Sequence, residues 1–146
     1  MKTRNLKKMC NAIILVTTVY GLTQLLYLAT ALRHAEFTTN WLIEMIRNHT
    51  DALTIVIVSI MFFMLAHNAK KGAVFTRKNE MLLVVFGRII AFMGLIFMFI
   101  ISHYTDESNF VYQGITLSIL IGLMLVFFSL LLKIARNMQE ENDLTI

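Results

Sequence analysis

Histidine and carboxylate side chains lie close together at three places in the sequence, and this combination could bind a metal ion such as zinc. The three sets are His34 with Glu36, His49 with Asp51, and His103 with Asp106 and Glu107. None of them has the ligand spacing of a known metal motif, and polar segments of this kind are usually just solvated. We therefore predict no metal site and no cofactor.

The apolar stretches of the chain carry few groups that could take part in a reaction. Ser59 and His67 could pair as nucleophile and base, but eight residues separate them, about 12 Å along one helix, which is too far for a hydrogen bond. The single cysteine, Cys10, excludes an intramolecular disulfide and a Cys-x-x-Cys redox pair. We predict that the protein is not an enzyme and has no catalytic residues.

Gln24 and Arg88 are the intramembrane polar residues, and each has a structural and a functional interpretation. Gln24 could form an interhelical hydrogen bond. Arg88 lies about 12 Å in from Glu80 and could extend its guanidinium to the lipid headgroups. Both could instead line a pore in an oligomer. A small oligomeric transporter or channel subunit is therefore the alternative function, although the chain has no proline and no carboxylate within the apolar stretches.

Four apolar stretches position these residues. They cover residues 12–32, 52–69, 81–101 and 114–132, each close to the roughly 20 residues that a helix needs to cross about 30 Å of hydrocarbon. Hydrophobic residues make up 58% of the 146-residue chain, and the mean hydropathy is +0.70, which is typical of membrane proteins rather than soluble domains. We predict an all-α integral membrane protein: an antiparallel four-helix transmembrane bundle over residues 1–146, with residues 133–146 as a tail.

The basic residues predict how the bundle is oriented. Ten of the 13 lysine and arginine residues lie in the N-terminal segment, the loop between the second and third stretches, and the tail. The two other loops contain only Arg33 and Arg47. By the positive-inside rule both termini and the central loop are cytoplasmic. The net charge of +4 then reflects topology and attraction to anionic lipid, and no direct binding of nucleic acid is predicted.

Helix ends can also be predicted. Gly72 is a natural end for the second helix, and Thr76 can cap the third, with Glu80 in its favourable first turn. The loop between them is therefore a short turn. In the loop before the second stretch, Asn40 can cap a short amphipathic helix over 41–47, which would lie at the outer membrane interface.

Small residues recur at helical spacing in two of the stretches. Gly87, Ala91 and Gly94 lie on one side of the third helix, and the fourth helix repeats a small residue every four positions at Gly114, Ser118 and Gly122. Such stripes allow close approach of two helices. The stripe of the fourth helix could serve inside the bundle or in a homo-oligomer.

The central loop is basic and the tail is acidic, and the fourth helix is predicted to continue into that tail. Exposed ion pairs between them are weak, typically below about 1 kcal/mol, which suits a switchable latch. The residues predicted to bind a partner are Lys70, Lys71, Phe75, Thr76, Arg77, Lys78, Asn79, Glu140, Glu141, Asp143 and Leu144.

Two segments carry a family resemblance. The motif Gly72-x-x-Phe75-Thr76-x-x-Asn79 and the ending Glu140-Glu141-Asn142-Asp143-Leu144-Thr145-Ile146 resemble the bacterial membrane family known as domain of unknown function 2975. The resemblance implies a four-helix protein of the bacterial cell (cytoplasmic) membrane, often encoded beside a small helix-turn-helix regulator, and it implies no catalytic residues. We therefore predict a multi-pass membrane anchor that binds a partner, such as a helix-turn-helix transcription regulator, through its loop and tail.

Overall fold

The computed structural model describes residues 2–35, 40–104 and 113–144. They form four antiparallel α-helices: α1 (Lys2–His34), α2 (Trp41–Lys70), α3 (Arg77–Tyr104) and α4 (Gln113–Leu144). The helices contain 28 to 33 residues, so each is about 42 to 50 Å long, and each is long and apolar enough to cross a membrane. The predicted all-α fold with four antiparallel apolar helices is confirmed.

The start of α2 differs from the prediction. Trp41 is the first residue of a helix that runs unbroken to Lys70, and the side chain of Asn40 makes no capping hydrogen bond. The prediction of a separate interfacial helix was therefore wrong. Neither proline nor glycine interrupts this segment, and the buried residues Ile46 and Thr50 continue the buried face of the apolar stretch at four-residue spacing.

Close packing of α3 against α4 depends on the two predicted stripes of small residues. A β-carbon added at Gly122 would lie 2.6 Å from the backbone nitrogen of Ala91 and 2.6 Å from the carbonyl oxygen of Gly87. One added at Gly94 would lie 2.7 Å from a carbon of the Ile119 side chain. The two backbones therefore approach as closely as glycine allows.

The stripe of α4 also contacts α2. Ser118 is fully buried, and its Oγ lies 2.7 Å from the Oγ1 of Thr54, which is also buried. Gly114 lies against Asp51 at the start of the apolar part of α2. All three small residues of α4 thus contact other helices of the same chain, which is the first of the two roles that the sequence left open. A homo-oligomer through Gly114, Ser118 and Gly122 stays a prediction.

The apolar core has two parts at different depths of the bundle. One cluster contains Met61, Leu83, Ile90 and Leu125, from α2, α3 and α4. The other contains Ile46, Ile101 and Ile115, from the same three helices. These three helices supply both buried clusters and form what we call the core unit; α1 contributes no residue to either cluster, although α2 contacts α1 more extensively than it contacts α3 or α4.

α1 is peripheral to this unit. Among the described residues its backbone approaches closely only that of α2, and no residue from 11 to 35 is buried. Its half-buried positions include Thr17, Gly21, Gln24 and Leu28, the residues that helical spacing places on one face. A β-carbon at Gly21 would lie 3.0 Å from that of Ser59 on α2.

Candidate functional site

The antiparallel order brings four chain segments to one end of the bundle. We call this the basic end: it contains the first turns of α1, the turn between α2 and α3, the first turn of α3, and the last turns of α4. Leu6 of α1, Ala69 of α2, Val74 of the turn and Leu132 of α4 line one shared cavity there. The residues predicted to bind a partner therefore belong to segments at one end of the bundle.

The turn between α2 and α3 begins at Gly72. Its φ angle is +85°, in the left-handed region that glycine adopts without a steric penalty. The Gly72 N–H donates to the carbonyl of Ala69 at 2.9 Å, and the N–H groups of Lys71 and Ala73 donate to the carbonyl of Asn68 at 3.0 and 3.1 Å. These bonds satisfy carbonyls at the end of α2, and the predicted stop at Gly72 is confirmed.

Asn79 holds the other side of this turn. Its side chain is only 3% exposed; Nδ2 donates to the carbonyls of Ala73 and Val74 at 2.7 and 2.9 Å, and Oδ1 accepts from Nδ2 of Asn68 at 2.7 Å. The backbone N–H of Asn79 donates to Oγ1 of Thr76 at 3.4 Å, so Thr76 caps α3 as predicted. The side chains of Asn79 and Thr76 therefore stabilise the turn by hydrogen bonds inside it.

Five of the predicted partner-binding residues are exposed around this turn. They are Lys70, Lys71, Phe75, Arg77 and Lys78, and we call them the turn surface. Phe75 is 48% exposed, so an aromatic ring lies among four positive charges. Such a surface is complementary to a partner segment that is acidic and partly apolar.

The tail is helical through Leu144, and an ion pair connects it to α3. Nη2 of Arg136 lies 3.3 Å from Oε2 of Glu80, with both side chains 20% exposed, and Nε lies 3.7 Å from Oε1 of Glu140. The polarity is opposite to that of the predicted latch, because here the tail supplies the cation. Glu80 lies in the first turn of α3, where the helix dipole favours an anion, whereas the side chain of Glu140 is 67% exposed.

Charge reversal tests this contact. We expect Glu80→Arg to speed hydrogen exchange of the α4 backbone after residue 132 by about fivefold or more, because a partly buried ion pair contributes about 1 kcal/mol. The double variant Glu80→Arg/Arg136→Glu should restore slow exchange. Glu44→Arg, at the equivalent first turn of α2, is the matched control. Additive effects of the two reversals would contradict the pairing.

The two intramembrane polar residues lie on different surfaces. Gln24 is half-buried on the face of α1 that packs against α2. Arg88 is exposed on α3, next to Gly87, which packs against α4. In the described part of the chain no acidic side chain forms an ion pair with Arg88. An outward-facing arginine in an apolar helix fits extension of its guanidinium to the headgroups.

Three of the four histidines lie at or near the opposite end, whereas His67 is in the last turn of α2, at the basic end. His34 and His103 are exposed, and the ring of His49 meets that of Tyr27 edge-on with centroids 5.2 Å apart. Within residues 2–35, 40–104 and 113–144, no three His, Cys, Asp or Glu side chains gather where they could hold a metal ion. Three acids from the sequence prediction lie outside the described residues: Glu36, Asp106 and Glu107.

The last residues of the predicted site lie at the end of α4. Asp143 and Leu144 are its final helical residues, and Thr145 and Ile146 lie outside the described residues.

Sequence reasoning missed Asn68 and placed Arg136 only among the basic residues of the tail. A pair of asparagines flanking a glycine turn, and an arginine four residues before Glu140, were the available signals.

Comparison with known protein families identifies a match to part of the chain. A family model described as protein of unknown function (DUF2975) matches residues 50–146. The matched segment covers most of α2 and all of α3 and α4, the three helices that supply both buried clusters, and excludes α1. No curated protein and no solved structure shows significant similarity to this chain.

Proposed function

Since the chain belongs to the DUF2975 family of proteins of unknown function, we propose that it is a non-enzymatic multi-pass membrane anchor that binds a soluble partner at its basic end. The turn surface and the α4 tail form the contact. The basic end lies in the cytoplasm of a bacterial cell, because ten of the 13 basic residues belong to the segments that meet there.

One observation carries the proposal: the basic end presents charged side chains around a turn that is held by internal hydrogen bonds, on a framework that is otherwise apolar. Asn79 and Gly72 hold the turn in one conformation by hydrogen bonds inside it. Its exposed side chains are therefore presented without a large entropic cost on binding. At the same end Arg136 pairs with Glu80 of α3 and lies 3.7 Å from the exposed Glu140 of the tail, which supports a contribution of the tail to the same contact.

The partner chemistry follows from these charges. Four cations around Phe75 favour an acidic segment with an apolar residue, and the exposed acids of the tail favour a basic segment beside it. The partner we propose is a small helix-turn-helix transcription regulator. Its basic DNA-binding face would contact the acidic tail, and a different face would contact the turn surface. Binding at the membrane would then withhold it from DNA.

Removal of the tail tests this function. In a mild-detergent pull-down of the tagged protein, we expect deletion of residues 140–146 to reduce capture of the regulator at least tenfold, because a continuous part of the contact is lost. Purification in monodisperse form should be unchanged, since the bundle ends before the deletion. Arg33→Gln, at the opposite end, is the matched control. Equal capture by the full-length and shortened proteins would remove the tail from the proposal.

Arg88 favours one alternative, a small oligomeric transporter or channel subunit. Its exposed guanidinium could line a pore between copies, with Gln24 as a second polar group. Function would then depend on Gln24 and Arg88 and not on the tail. Flux into proteoliposomes that is abolished by Arg88→Gln and unaffected by the tail deletion would favour this alternative over the anchor.

A further inference from the structure

A groove at the basic end runs between α1 and the rest of the bundle. It has a volume of about 310 Å³, and its walls include Leu6 and Ile13 of α1, Phe62 and Ala69 of α2, Leu83 of α3 and Leu132 of α4. Apart from the thiol of Cys10, the one polar side chain in the lining is that of Asn79, and its amide is already bonded within the turn. An apolar cavity of this kind does not hold water well.

The groove stays open because α1 is peripheral. The backbone of α1 approaches that of α2 closely, and no comparable contact with α3 or α4 exists among the described residues. Side chains of α1 therefore span a gap that they do not fill. In a bilayer this gap is open to the hydrocarbon chains of the lipids.

Exposed lysines are next in sequence to residues that line the groove, on each of the four helices. Lys70 follows Ala69, Lys78 precedes Asn79, Lys133 follows Leu132, and on α1 Lys7 follows Leu6 and Lys8 precedes Met9. Glu80, in the first turn of α3, is paired with Arg136. The end of the bundle that holds this apolar groove therefore has an excess of positive charge.

We propose that this groove binds one anionic phospholipid, with an acyl chain between α1 and the other helices and the phosphate between Lys7 and Lys70. Lipid is the occupant that matches both parts of the site, because it joins an apolar chain to a negative headgroup. A second copy of the protein would bring the same lysines to the contact, and the like charges would repel. This inference does not depend on the proposed partner.

Titration of the detergent-solubilised protein with dioleoylphosphatidylglycerol, followed by native mass spectrometry, tests the site. We expect one molecule to bind, and dioleoylphosphatidylcholine to bind far less. Lys7→Gln/Lys70→Gln should weaken phosphatidylglycerol binding about 30-fold, the loss expected for two lysines near an anionic lipid. Lys71→Gln/Arg77→Gln is the matched control: it removes equal charge from exposed residues at the same end of the bundle, and neither residue is next in sequence to one that lines the groove.

Filling the groove tests the acyl-chain part separately. Ala69→Phe should abolish tight phosphatidylglycerol binding with every lysine in place, whereas Ala12→Phe, on the exposed outer face of α1, should leave it unchanged. Equal weakening by the two double variants, Lys7→Gln/Lys70→Gln and Lys71→Gln/Arg77→Gln, would mean attraction to the surface only and would overturn the proposal. Normal binding by Ala69→Phe, or a dimer in place of the lipid adduct, would also overturn it.

Discussion

Gly122→Ala is expected to destabilise the bundle by about 3 kcal/mol, although it adds only one methyl group. The new β-carbon would lie 2.6 Å from the Ala91 nitrogen, 2.6 Å from the Gly87 oxygen and 2.8 Å from the Ala91 β-carbon. Two of these three atoms belong to the backbone of α3, so no side chain can rotate away. Relief requires α3 and α4 to separate, which loosens the surrounding core contacts.

Reversible unfolding in mixed micelles, followed by circular dichroism at increasing dodecyl sulfate, measures this effect. Gly114→Ala is the matched control, because it makes the same change two turns earlier on α4, where the nearest atom would be 3.7 Å away. That variant should be neutral or more stable, since alanine has the higher helix propensity by up to about 1 kcal/mol. Equal destabilisation of the two variants would contradict the close approach at Gly122.

Asn79→Leu is expected to release the turn between α2 and α3 at a cost of about 3 kcal/mol. Leucine has a similar size but leaves the carbonyls of Ala73 and Val74 and the Nδ2 group of Asn68 without their partner. Each buried polar group that loses its hydrogen bond costs about 1 to 3 kcal/mol. Local opening of the turn should therefore become about 100-fold more frequent.

Limited trypsin digestion reports on this opening, because Lys70, Lys71, Arg77 and Lys78 supply cleavage sites on both sides. We expect the Asn79→Leu protein to be cut in the turn about 100-fold faster than the unmodified protein. Asn137→Leu changes an exposed asparagine of the tail at the same end of the bundle and should leave the rate unchanged. An unaltered rate for Asn79→Leu would show that the side chain does not hold the turn.

Gly122→Ala and Asn79→Leu test two different requirements of the proposed function, the packed bundle and the ordered turn. Gly122→Ala acts on the bundle and leaves the turn residues intact, whereas Asn79→Leu acts on the turn and leaves the α3–α4 contact intact. Loss of partner capture with Asn79→Leu in a folded bundle would support rigid presentation of the turn surface. Retained capture would instead assign recognition to the tail.

Much of the basic end could be predicted from local sequence. Gly72 ends α2 and Thr76 caps α3 as predicted, because turn and cap preferences depend on a few neighbouring residues. The face of α1 that contains Gln24 also followed from helical spacing alone. The start of α2 was mispredicted because a polar stretch with a good capping residue resembles a helix of its own, and only the packing of Ile46 shows that it continues the span.

The role of each charged residue could not be predicted from local sequence. Opposite charges in the turn and the tail predicted a latch, but which pair forms depends on the side chains that point inward at the end of α4. Arg136 points toward α3 and Glu140 is mostly exposed. The same holds for Asn68 and Asn79, which are 11 residues apart and meet only after the turn has formed.

The amino-acid sequence by itself determined the class of this protein: four apolar stretches can satisfy their backbone groups in lipid only as helices, and the glycine turn makes two of them neighbours. Only the tertiary structure decided which faces meet. It placed the α4 stripe against Gly87 and Thr54 inside the chain, and it left α1 on the outside beside an open groove. Small-residue stripes and apolar faces are compatible with many partners, and the choice depends on contacts between residues far apart in the sequence.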